Sequence, residues 1–274
     1  MMRTPLANRR TGCLPPKTSA KALMFGAFAR GTVKPPKATG FWNRRAPFAR
    51  HAYGNTEHND CTIAKQAVAM LRMERLETGH VPQIAEDEPL RVFEKMCADL
   101  YGGNDEGAYE TDALDRWRRP ELSIRDASGR ALTIDAYVRV NHLDQQEVRR
   151  AIASSGAHGI AVCLALPKAF ESISPPKAWD IPVGQPAIGD WLPNSGGGHS
   201  MWARDYDENG IWLVHTWREG DQLLTWKAAE CYLVEAHTVI DSLDAWQRDA
   251  HARKRLDLKR LKKAVNDVSS HPIA

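Results

Sequence analysis

Residues 54–76 read GNTEHNDCTIAKQAVAMLRMERL, and this stretch decides the fold. Asp60 is a helix-capping residue type. Ile63, Ala64, Ala67, Val68, Leu71 and Leu76 then recur at helical spacing, with Lys65, Arg72 and Arg75 between them. Gly79 and Pro82 close the run. The spacing predicts a helix whose first turn carries Cys61. A thiol there lies at the positive end of the helix dipole, which favours the thiolate, the nucleophilic form. Asp60 pushes the other way, so the helix end has to outweigh it or a histidine has to supply the rest.

Further helices are predicted over residues 90–100, stopped by Gly102-Gly103, and over 111–119, stopped before Pro120. The period then changes. Residues 131–140 (ALTIDAYVRV) alternate as a strand does, and 144–155 return to a helix between Asp144 and Gly156. Residues 159–166 (GIAVCLAL) are an unbroken apolar run, the pattern of a strand covered on both faces. A Pro- and Gly-rich excursion follows over 167–197, carrying Trp179 and Trp191. Strands at 199–206 and 211–217 flank the turn Asp207-Glu208-Asn209-Gly210. Thr225 caps a helix expected to run to about residue 237, and a last helix is expected over 243–268. Helices lead and strands follow, which predicts α+β architecture in two segregated lobes with a cleft between them.

The chain has 274 residues, 43% of them hydrophobic, and a net charge of +3. That is ample for a core and excludes wholesale disorder. No run approaches the ~18 apolar residues of a membrane span, so no membrane partner is expected. Five scattered cysteines with no C-x-x-C pair speak against a disulfide scaffold or a thiolate zinc site. Residues 1–50 hold 11 Lys/Arg and no acid. Residues 51–240 hold 18 basic and 29 acidic residues, a balance of −11, and residues 241–274 a balance of +3. The organisation expected is a basic extended arm (1–50), a domain (51–240) and a basic C-terminal helix (241–274). The arm is expected to lie across the acidic body. Arm and tail are also candidate contacts for protein assembly partners, and nucleic acid is a lesser partner because no aromatic–basic repeat accompanies the charge. Residues 22–29 (ALMFGAFA) imitate a targeting segment, but Gly26 interrupts them, and the expected location is cytoplasmic. Asp205-x-Asp207-x-Asn209-Gly210 opens like a calcium loop but has Thr216 at its twelfth position. A hairpin turn accounts for it, and no metal or other cofactor is expected.

His199 opens a predicted strand behind Gly196-Gly197-Gly198, glycines that let backbone pass close by. With Cys61 it makes a nucleophile-and-base candidate pair. Three stretches, residues 54–64 (GNTEHNDCTIA), 197–210 (GGHSMWARDYDENG) and 212–236, resemble the papain-like cysteine peptidase superfamily. The likeness is to the small papain-like proteins of bacterial and phage genomes, a branch that Lys34-Pro35-Pro36-Lys37 and Trp179-Asp180 also fit. It covers roughly residues 21–240. The 138 residues between Cys61 and His199 fall in the family's window of about 130–150.

The resemblance implies a helical N-terminal lobe facing an antiparallel β lobe, with Cys61 as nucleophile and His199 as general base. It implies that Asn55 stands where the family has its oxyanion-hole glutamine, a donor worth ~2.7–4 kcal/mol. Trp217 matches the tryptophan that covers the His-orienting bond. One position departs. Where the family has its orienting Asn, this chain has His215, whose ring can hold one hydrogen bond but disfavours a second protonated imidazole beside it. Asp190 and Glu219 are alternative orienters. The activity implied is hydrolysis of peptide or isopeptide bonds, with peptide or protein as substrate. The alternative is a weak or inactive papain-like body serving as a structural component, of a phage virion for instance. A further reading has the arm lying in the cleft as a pro-segment.

Overall fold

The computed structural model describes residues 11–17, 22–30, 34–39, 51–154, 158–185, 188–217, 221–248 and 250–268. Helix α1 (Phe25–Phe28) is one turn in the arm. Helices α2 (Cys61–Thr78), α3 (Glu88–Leu100) and α4 (Glu110–Trp117) build the leading lobe. There follow β1 (Ala136–Arg139), α5 (Gln145–Ser154), β2 (Ile160–Ala165), β3 (Gly198–Tyr206), β4 (Gly210–Val214) and β5 (Asp221–Thr225). The chain ends with α6 (Trp226–Tyr232), β6 (Leu233–Ile240), α7 (Leu243–Arg248), α8 (Ala250–Arg255) and α9 (Leu258–Val268). The strands form one sheet in the order β1-β6-β2-β3-β4-β5, and every pairing is antiparallel. The architecture is α+β. No helix among the described residues is long and apolar enough to cross a membrane.

The local signals act as expected in the leading lobe. Gly79 takes the left-handed conformation at φ 75° and its N–H closes α2 on Arg75. Gly102 and Gly103, both at positive φ, terminate α3, with the Gly103 N–H returning to the Cys97 carbonyl. Strand β2 is buried on both faces because it lies in the middle of the sheet with a layer on each side. One face carries Ile160, Val162, Leu164, Met201 and Ala203 against α1, α5 and the C-terminal helices. The other carries Ala161, Trp202 and Val239 against Val68, Leu71 and Trp117 of the leading lobe.

Four expectations are corrected. The helix from Thr225 stops at Tyr232, although Thr225 does cap it by accepting the Ala228 N–H at 3.1 Å. The chain turns into β6, which pairs with β1 on one side and β2 on the other. Pairing on both edges, with β-branched Val234, Thr238, Val239 and Ile240, outweighs the helical reading of 233–237. The strand expected over 131–140 is reduced to Ala136–Arg139, and that over 211–217 ends at Val214. The long last helix is broken: Leu256 bridges Ala29 of the arm, and Asp257 restarts the chain as α9 by accepting the Arg260 N–H at 3.1 Å.

Arm and tail are packed into the body. Phe25 and Phe28 share a core with Leu243, Trp246, Leu256, Leu258, Leu261 and Val265. Backbone hydrogen bonds run from Arg30 N to Arg255 O (2.7 Å) and from Asp257 N to Phe28 O (2.8 Å). Further along, the Tyr206 hydroxyl donates to Pro36 O at 2.7 Å, and Lys17 pairs with Asp112 at 2.7 Å while lying over the Tyr109 ring.

Beneath the sheet, Lys65 of α2 and Glu110 of α4 form a fully buried ion pair. Glu110 also accepts from the Ser200 hydroxyl of β3 at 2.7 Å. Burial alone would push the Glu110 carboxyl up, but the Lys65 charge holds it below the ordinary range. Removing one partner strands the other charge in the core. Lys65→Met is therefore expected to cost about 3–5 kcal/mol in chemical denaturation. The double variant Lys65→Met/Glu110→Leu should recover most of that loss.

Candidate active site

Cys61 is fully buried at the start of α2. Its Sγ lies 3.4 Å from the backbone N–H of Ser200, which donates to it. Ser200 is the residue after His199, so the helix end and the beginning of β3 meet where the sequence reading requires. The His199 ring is fully buried and stacks on Trp217 with centroids 3.7 Å apart and planes 21° apart. His215 sits just past the end of β4, 6.2 Å from the same Trp217 ring and edge-on to Trp179 at 5.0 Å. The two histidines thus share one indole, and Trp179 is pinned beside them by its own bonding to β5: its N–H donates to Leu223 O at 2.8 Å.

Asn55 is also buried, in the turn before α2. Its carbonyl accepts from the Thr216 hydroxyl, which ties the leading lobe to the segment between His215 and Trp217. Its amide donates to His58 O at 3.3 Å. Of the alternative orienters, Asp190 is exposed in a single 3₁₀ turn, away from the buried histidines, and Glu219 lies outside the described residues. The turn residues read as a calcium-loop decoy do make a hairpin: Asp207 accepts the N–H groups of Asn209 and Gly210 at 2.7 and 3.2 Å.

The groove above Cys61 is filled by residues 11–14 of the arm. Cys13 N donates to Gly198 O at 2.9 Å, Ala108 N to Gly12 O at 2.7 Å, and Leu14 N to Ala108 O at 3.0 Å. The segment is a strand-like plug hydrogen-bonded to both walls. The fit leaves no room for a side chain at position 12: a Cβ there would lie 1.7 Å from Asn59 O. Gly197 and Gly198 are equally tight against Thr11 and Cys13, with contacts of 2.0 and 1.8 Å for an added Cβ. The glycines before His199 serve this close passage of backbone.

Two titrations follow from the burial. With the plug in place the Cys61 thiol is held well above its ordinary range by burial first and the Cys13 thiol second, against the pull of the Ser200 and Gly12 N–H groups. Asp60 is raised to about 8 by burial. Its carboxyl is therefore mostly protonated at pH 7, which weakens the like charge that argues against a Cys61 thiolate.

Among the described residues two clusters, one of acid and thiols and one of acids and an imidazole, have the spacing of metal ligands. Cys13, Glu110 and Cys163 are buried with donor atoms within 4.8 Å of one another, and Glu77, His158 and Asp241 form the second. In the first, the Lys65 ammonium already supplies a cation to Glu110. Glu110, Ser200, Cys163 and Cys13 were not singled out as site residues from sequence. Only the position of Lys65, one helical turn beyond Cys61, could have pointed to a buried partner there.

A two-lobed body with a thiol at the start of the central helix, and a histidine opening the facing strand, is the papain-like fold. No family model matches the chain, and no curated protein does. Solved structures do. Xylellain, a cysteine protease from Xylella fastidiosa, matches with a TM-score of 0.63 at 14% identity, over 88% of this chain and 99% of that one. The Carica candamarcensis cysteine protease CMS1MS2 matches with a TM-score of 0.53 at 14% identity, over 76% and 99%. The proform of the ragweed pollen cysteine protease Amb a 11 matches with a TM-score of 0.55 at 14% identity, over 84% and 71%.

The raised Asp60 gives a pH signature of fixed sign. An acid whose folded pKa lies above its unfolded value binds a proton that the unfolded chain has released. Stability is lost as pH climbs from about 4 to about 8 and levels off beyond, at about 1.4 kcal/mol per pH unit for one such group. Asp60→Asn should remove that slope from a denaturation series, and a series parallel to the parent's would contradict the assignment.

Proposed function

We propose that this chain is a cysteine hydrolase of peptide or isopeptide bonds that is closed by its own N-terminal arm. Cys61 Sγ attacks the substrate carbonyl and His199 takes the thiol proton, then returns it to the leaving amine. The Cys61 backbone N–H and the Asn55 amide hold the developing oxyanion. For this Asn55 must turn its amide from His58 once the arm has left. His215 is a positioning residue, held by Trp179 and packed with Trp217 over the general base. The single observation that carries the reading is the Cys61 sulfur at 3.4 Å from Ser200 N, at the foot of a groove occupied by a peptide segment. A groove that hydrogen-bonds extended backbone on both walls is suited to a peptide substrate.

With residues 11–14 seated, the thiol is buried and protonated, so the closed form is expected to be inert. Gly12→Ala tests this in the full chain, because a Cβ at that position meets backbone that cannot move aside. The variant should react with iodoacetamide at Cys61, at pH 6, roughly tenfold faster or more than the parent. Turnover of a broad peptide panel should rise with it and vanish in Gly12→Ala/Cys61→Ala. Faster labelling without turnover would leave a papain-like scaffold rather than an enzyme.

A further inference from the structure

The arm brings a second thiol into the groove, and its neighbour is not Cys61 alone. Cys13 is fixed between β3 and the loop before α4 by its hydrogen bond to Gly198 O and its bridge to Ala108. Its side chain packs in a buried cluster with Cys61 and Cys163. The Cys13 and Cys163 sulfurs lie within 4.8 Å of one another. Cys163 stands on β2, in the middle of the sheet, directly across from Ser200. We propose that Cys13 and Cys163 form a reversible disulfide that latches the arm into the groove, so that the closed form is set by the thiol–disulfide balance around the protein.

The geometry supports this pair. The two sulfurs lie within 4.8 Å of one another in the reduced protein and both backbones are anchored, so the bond needs a side-chain adjustment from that separation to ~2.05 Å. Burial, the Cys13 thiol and the Glu110 carboxylate hold the Cys163 thiol well above its ordinary range, so it is a stable thiol in the closed protein, with the Lys65 ammonium as the opposing pull. Cys163 donates to Glu110 Oε2 at 3.4 Å, which gives its proton an acceptor.

The oxidant is a small-molecule disulfide such as oxidised glutathione. With the arm lifted, the Cys13 thiolate attacks one glutathione sulfur and releases one reduced glutathione, leaving a mixed disulfide on Cys13. As the arm reseats, the Cys163 thiolate attacks the Cys13 sulfur, the mixed bond breaks and a second reduced glutathione leaves. The two protons from Cys13 and Cys163 end on the two glutathione thiols, and two electrons pass to the oxidant. Excess reduced thiol runs the sequence backwards and frees the arm.

The latch extends the proposed function by adding a regulator of the same groove, but its formation does not depend on that reading. The test equilibrates the full chain in mixtures of oxidised and reduced glutathione, blocks free thiols with N-ethylmaleimide and maps peptides without reduction. A Cys13–Cys163 linked peptide and a 2 Da loss in the intact chain are expected, absent in Cys13→Ser and in Cys163→Ser. Exposed Cys231 should carry only mixed disulfide and serves as the internal control. Iodoacetamide labelling of Cys61 should be tenfold or more slower in the oxidised parent than in the reduced one, with no such difference in Cys163→Ser. Linkage of Cys13 to Cys61 instead, or mixed disulfides alone at Cys13 and Cys163, would overturn the proposal. A Cys13–Cys163 link, with no peptide turnover after its reduction or in Gly12→Ala, would leave the latch standing and remove the peptidase reading.

Discussion

The buried pair of Lys65 and Glu110 is the joint on which the two lobes depend. It ties α2 to α4, and through the Ser200 hydroxyl it ties both to β3. The same residue, Ser200, presents its N–H to the Cys61 sulfur. A charged group removed from water tolerates little displacement of its partners. The pair therefore fixes the distance between the end of α2 and the edge of the sheet more tightly than apolar packing would. The position of the thiol relative to the strand that carries His199 is set by a salt bridge lying below both.

The groove is shaped by what is missing from it. Gly12 and Gly198 leave backbone facing backbone, and Gly197 faces the Thr11 side chain, at distances where any β-carbon would collide. Side chains enter only where they bond or pack: Thr216 on Asn55, Trp217 on His199, Trp179 on His215. The aromatic roof explains why the Pro- and Gly-rich stretch before His199 is ordered at Phe170, Trp179 and Trp191, which pack on one another and on Tyr232.

Much of this was legible in the chain. The helix start at Cys61, the Gly79 stop, the central strand 159–166 and the hairpin at Asp207 are local signals, and each held because no tertiary contact opposed it, although Asp60 makes no side-chain capping bond at the start of α2. The helix expected from Thr225 failed halfway because β6 gains partners on both edges, a long-range benefit that no window of sequence contains. The break at Leu256 depends in the same way on a bridge to Ala29, more than two hundred residues earlier. In the site, Cys61 and His199 could be named from motif and spacing. Glu110 and Cys163 could not, since an acid and a thiol in separate apolar surroundings acquire meaning only when the fold sets them beside Lys65 and Cys13. The protonation of Asp60 was equally hidden, because its charge state is decided by burial.

The plug belongs to the same polypeptide as the groove it fills. Its local concentration at the groove is set by tether length rather than by how much protein is present, on the order of millimolar for a short flexible connection. Diluting the protein therefore cannot open it, and a free peptide of equal intrinsic affinity would have to approach that concentration before it displaced residues 11–14.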